Sequence, residues 1–191
     1  MKEPDVLRIL SYPDPVLSTP CRDIESAEML YKQFRLTASK RPFLNLLSIP
    51  ELVELMIKTC QKKKGAGLAA PQVGMAVRLF VAFPTSDPVV CINPVISDME
   101  GEEEADEGCL SVPGVWSKIK RARKLKLTAL DKDGKPFERE CEGAEARIYQ
   151  HEVDHLDGKL ILNRIGPGER FRMRNVLERL QDDYDFRNRK K

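Results

Sequence analysis

The chain contains two histidines, His151 and His155, four positions apart, with Glu152 between them. Residues four apart on an α-helix stand one above the other on the same face, so both imidazoles can reach one metal ion. Glu152 follows His151 directly and projects to the side. There its carboxylate can touch a water molecule without filling a coordination position. Two nitrogen ligands beside one general base form the donor pattern of a metal-dependent hydrolase. The plainer reading is a pair of histidines on an ordinary helix. The metal reading is preferred because the pattern uses every histidine in the chain and continues an inward face through Ala144 and Ile148.

Two imidazoles do not hold a catalytic metal, so a third ligand is required. No further histidine exists, and Glu169 and Glu178 have no motif around them. Glu107-Gly108-Cys109-Leu110-Ser111-Val112-Pro113-Gly114 offers a better candidate, because Cys109 sits between a glycine and a turn-prone run. Its thiolate would complete a Cys-His-His set with one position left for water. Cys109 could instead be a small buried residue at a strand end, or a nucleophile with a histidine base. Two histidines at helical spacing favour the metal over the dyad.

The elements that must position these groups can be read from periodicity. Residues 144–156 predict the helix that carries the histidines. Ser48-Ile49-Pro50-Glu51 fits a capping box and starts an earlier helix with Leu52, Met56 and Cys60 on one face. That helix is expected to end at Lys62-Lys63-Lys64, with Gly65 in the left-handed position beyond it. Strands are expected at Val6–Leu10, Val77–Phe83, Val89–Ile92, Val115–Lys120, Lys124–Leu130, Phe137–Cys141 and Leu160–Leu162, with Asp131-Lys132-Asp133-Gly134 as a hairpin turn. Glu169–Phe186 reads as a terminal helix. The sum is an α+β fold: mostly antiparallel strands around a central metal-binding helix, with a C-terminal helix.

With 191 residues, 41% hydrophobic and 32% charged, the chain suits one domain, 1–191, with a well-developed core. A net charge of +2 gives no general argument for nucleic-acid binding. Five cysteines, odd in number and widely spaced, do not make a disulfide framework. No apolar run is long enough to span a bilayer, and the start lacks a signal pattern, so a cytoplasmic setting without membrane association is expected. Lys62–Lys64, Lys118–Lys124 and Arg187–Lys191 are basic clusters and Glu100–Glu107 an acidic run. All read as solvated faces, loops or ends, with Glu107 a candidate to hydrogen-bond a ligand.

Three motifs in fixed order give a more specific reading. Gly65-Ala66-Gly67-Leu68-Ala69-Ala70-Pro71-Gln72, then Glu107-Gly108-Cys109-Leu110-Ser111, then Gln150-His151-Glu152-Val153-Asp154-His155-Leu156 resemble those of the peptide deformylases. The resemblance extends to the Tyr12-Pro13-Asp14-Pro15-Val16-Leu17 arm and to the intervening strands. It implies Cys109, His151 and His155 as metal ligands and Glu152 as general base and later acid. It implies Gln72 and the Leu110 N–H as oxyanion donors, with Gly67 leaving room for substrate backbone that adds as a strand.

The resemblance also implies Fe(2+) as the metal, with Zn(2+) possible; ligand chemistry alone would point to zinc. It implies N-formylmethionyl nascent peptides as substrates; since these emerge from a ribosome, the basic terminal helix, 169–191, is a candidate to dock near RNA phosphates at the peptide exit, beside the plainer reading as a solvated end. Ala66 departs from the family pattern, which carries a larger aliphatic residue there. About 22–50 looks longer than usual and reads as a surface insertion. The alternatives are another metal-dependent amidase, or a catalytically silent relative acting as a binding module.

Overall fold

The computed structural model describes residues 6–25 and 47–189. Most of the expected 22–50 insertion, and the last two residues of the basic tail, lie outside the described residues.

Helix α1 (Ile49–Lys62) begins as the sequence predicts. The Ser48 hydroxyl accepts the Glu51 N–H, and the Glu51 carboxylate accepts the Ser48 N–H at 2.6 Å. This pairing satisfies two donors that a helix start otherwise leaves open. Ser48→Ala is expected to cost about 1 kcal/mol in urea unfolding. Its hydrogen bonds from Ser48 hold the Glu51 carboxyl below its ordinary 4.5. A depressed acid stabilises the fold above its unfolded pKa. The deficit of Glu51→Gln should therefore be full at neutral pH and close as pH falls from 4.5 through the lowered folded value.

The helix ends differently from expectation. Lys64, not Gly65, takes the left-handed conformation, at φ 54°. Gly65 is needed for space: a Cβ there would lie 2.9 Å from Leu110 Cδ1 and 3.1 Å from the Gly67 carbonyl.

Seven strands follow. Strands β1 (Gly67–Ala69), β2 (Leu79–Ala82), β3 (Val89–Glu100), β6 (Lys124–Leu130) and β7 (Pro136–Glu142) form one antiparallel sheet in the order β1-β2-β3-β6-β7. Strands β4 (Glu103–Gly108) and β5 (Trp116–Arg121) form a separate antiparallel pair. Side-chain alternation explains why all of β2 is buried. Leu79 and Val81 join the cluster with Leu52, Val53 and Met56 of α1, while Phe80 and Ala82 face the other layer. That layer is helix α2 (Ala144–Leu156), whose Ala146, Tyr149 and Leu156 seat it on the sheet. The Phe80 and Tyr149 rings are 5.7 Å apart. The histidine helix is therefore fixed by a packed face of its own.

Four expectations are corrected. Val6–Leu10 is not a strand; its partners are Thr59 Oγ1, which accepts from Leu7, and the Gln72 carbonyl, which accepts from Leu10. Leu160–Leu162 is not a strand either. Asn163 accepts the Leu160 N–H at 2.9 Å and folds Ile161–Asn163 into a 3-10 turn. The acidic run 100–107 is not a loop: Glu100 ends β3 and Glu103–Glu107 lie in β4, where Glu103, Glu104 and Asp106 stand opposite Arg121, Lys120 and Lys118 of β5. The terminal helix is two, α3 (Pro167–Arg172) and α4 (Arg174–Arg189), with Met173 outside helical geometry between them. Leu177 and Leu180 of α4 cover Leu17 and Leu160–Leu162 in a third cluster. Among the described residues, no helix is long and apolar enough to cross a membrane.

Candidate metal centre

The site forms where α2 meets the turn after β4. The His151 and His155 rings lie 5.1 Å apart at 77°, as their helical spacing requires. Cys109 follows the end of β4 and is buried among Leu17, Val112 and Leu162. Its Sγ is 3.3 Å from His155 Nε2. One ligand atom from each of Cys109, His151 and His155 lies within 4.8 Å of the others, and Glu152 is not part of this group.

The rejected ligand candidates are accounted for. Glu169 Oε1 accepts a 2.5 Å hydrogen bond from Ser117 on β5, and Glu178 is exposed on α4.

The electrostatics suit a cation. Burial alone would raise the Cys109 thiol; His155 and His151 outweigh it and bring the thiol down to about 5. Burial would likewise lower His151, but its contacts with Cys109 and Glu107 push it up to about 10. The Cys109 shift expresses its attraction to both imidazoles, and the His151 shift the two negative partners, Cys109 and Glu107, that face its ring. A thiolate and two imidazoles converging in a buried place suit a divalent transition metal.

Glu152 is buried beside this group, and burial pushes its carboxyl up to about 7. Its Oε2 and His155 Nδ1 are the buried side-chain polar atoms with no hydrogen-bond partner among the described residues. An unpartnered buried carboxylate is costly to fold and is usual where a proton must be moved. Gly67 on β1 makes room for it: a Cβ there would strike the carboxylate and lie 2.7 Å from its Cδ. The Glu152 side chain thus sets the requirement for glycine at this position.

Gln72 lies in a 3-10 turn after β1. Its Oε1 accepts the Ala69 N–H at 2.8 Å, which fixes the amide. Its Nε2 points toward the centre, 3.8 Å from Cys109 Sγ and 3.2 Å from Ser111 Oγ. The Leu110 N–H makes no hydrogen bond with the described residues. Ala66 is exposed beside Gly67, and its carbonyl accepts the Phe83 N–H at 2.8 Å.

The model of the polypeptide deformylase family matches residues 6–171. The chain belongs to that family. It is 37% identical over 179 residues to the peptide deformylase of Alkalilimnicola ehrlichii, spanning 92% of this chain and 90% of the relative. The peptide deformylase of Dictyoglomus thermophilum is 42% identical over 151 residues, 79% of this chain and 87% of that one. Among solved structures, the peptide deformylase of Thermus thermophilus superposes with a TM-score of 0.79 at 36% identity, covering 93% of this chain and 99% of its own. That of Legionella pneumophila gives 0.76 at 34%, covering 94% and 98%. Deformylase membership accounts for all three motifs at once, and the structure brings them together.

Around the three candidate ligands lies a charged network that sequence reasoning mostly missed. Glu107 Oε2 meets His151 Nδ1 at 2.9 Å. Arg121 donates to both Glu107 oxygens at 3.0 Å and to Asp154 at 2.5 Å. Asp154 is also held by Arg164, and Glu107 by Arg147. Burial would raise Glu107; its bonds with His151 and Arg121 hold it down at about 2. Lys118–Lys124, expected as a solvated face, is therefore corrected at Arg121, whose side chain is only 2% exposed. The available signal was the alternation along β5, where Ser117, Ile119 and Arg121 all point inward.

Proposed function

We propose that the chain hydrolyses the formamide of N-formylmethionyl peptides, giving formate and a free amine. The observation that carries this reading is the convergence of Cys109, His151 and His155 within 4.8 Å, beside the buried Glu152 carboxylate. In this reading those three residues would hold one divalent metal. The chemistry such a cation supplies is Lewis acidity, polarising a carbonyl oxygen and making water easier to deprotonate. Glu152 Oε2 takes the proton of the attacking water and hands it to the leaving nitrogen. Gln72 Nε2 and the Leu110 N–H donate to the oxygen on which negative charge develops. Gly67, by carrying no Cβ, lets the Glu152 carboxylate lie against β1, where the peptide backbone would add as a strand.

The test is turnover of formyl-Met-Ala-Ser by protein purified without oxygen, with metal content read on the same sample. Formate release with about one metal per chain is expected. Bound metal without formate would favour a silent, peptide-binding relative. Ferrous iron is the proposed native ion. Thiolates beside iron oxidise readily, so activity should fall in air and return only partly with fresh ferrous ion. Indifference to air would argue for zinc. The proposed setting is the cytoplasm, and the basic end of α4 is proposed to dock near the ribosomal peptide exit. Salt-insensitive or absent ribosome binding would remove that part of the reading.

A further inference from the structure

Arg147 lies one helical turn before His151 on α2, so the two side chains share a face. Its side chain is 13% exposed and grips three places at once. Nη1 donates to Glu107 Oε1 at 2.7 Å and to the Ile119 carbonyl at 2.8 Å; Nη2 donates to the Glu103 carbonyl at 2.7 Å. Glu103 and Glu107 belong to β4 and Ile119 to β5. The other oxygen of Glu107 meets His151 Nδ1.

Glu107 does not need Arg147 for charge, because Arg121 already gives it two bonds from within the small sheet. What Arg147 adds is position. It starts on the helix that carries two of the three ligands and ends on both strands of the sheet that leads to the third. It also fixes the carboxylate that orients the His151 ring. A lysine could make one of these contacts; only a guanidinium fork spans them together.

We propose that Arg147 is a positioning residue that sets how tightly the centre keeps its metal, by locking the β4–β5 pair to α2. The inference rests on Cys109, His151 and His155 being the ligand set. Partners of ligating histidines typically change metal affinity 10–100-fold when removed. Zinc-loaded native chain, Arg147→Met and Arg147→Lys would each be mixed with excess chromophoric chelator, and zinc release followed by absorbance. Arg147→Met should release zinc about 10 times faster than the native chain, the lower end of that range because Arg121 still holds Glu107, with Arg147→Lys between the two. The lysine variant carries the test if the methionine variant does not fold.

A purely structural arginine would lower the melting temperature of the metal-free variants and leave zinc release at the native rate. That result would overturn the proposal alone. A native chain that keeps no zinc would overturn the ligand set and the proposal with it.

Discussion

Glu152→Gln is expected to lower kcat toward formyl-Met-Ala-Ser by about 10²–10⁴-fold, the usual worth of a positioned acid–base group. The substitution keeps the size and shape of the side chain, so the space made by Gly67 remains filled. An amide cannot take the proton. Metal content should be unchanged, because Glu152 is not among the converging ligand atoms. The two readouts together are decisive. Lost activity with lost metal would make Glu152 a support for the centre rather than a base. Surviving turnover would place the base elsewhere.

Arg121→Ala is expected to be the most destabilising single change in the charged network. Removing one partner of a buried ion pair commonly costs about 3–5 kcal/mol, because the remaining charges lose their compensation. Here two buried carboxylates, Glu107 and Asp154, are affected together. Arg147 and Arg164 still reach them, so the expected loss is near the lower end, about 3 kcal/mol in urea unfolding. Arg121→Lys should recover only part of it, since one ammonium cannot reproduce a fork bound to both carboxylates. A loss below about 1 kcal/mol, the level of an exposed pair, would show that the other two arginines suffice.

The contrast between α2 and the small sheet shows what the sequence made legible. Helix α2 was legible in its bounds and histidine spacing, but not in its packed face: Ala144, expected to point inward with the histidines, is exposed, and Ala146, Tyr149 and Leu156 seat the helix on the sheet instead. The third ligand was not readable in that way. Cys109 lies 46 positions before His155; its glycine-flanked, turn-prone setting made it a candidate, and the family resemblance separated that role from the other plausible fates of a cysteine. Strand β4 was hidden because acidic residues are poor strand formers alone. Its stability lies in facing the basic β5, a relation between segments rather than within one. Arg121 was missed because a charge count does not say which of several neighbouring cations turns inward; the alternation that does lies in the strand period of β5.

The arm at residues 6–21 has a consequence for the order in which the chain can fold. Tyr12 donates its N–H to Ser111, Cys21 to Leu156, and Leu17 packs under Leu177 and Leu180. Thr59 and Gln72, which accept from Leu7 and Leu10, are its near partners, whereas Ser111, Leu156, Leu177 and Leu180 lie far along the chain. Closing so long a loop costs only slightly more than closing a short one, but contacts this distant in sequence form slowly. The arm is thus seated by its near contacts and locked only when its far ones close.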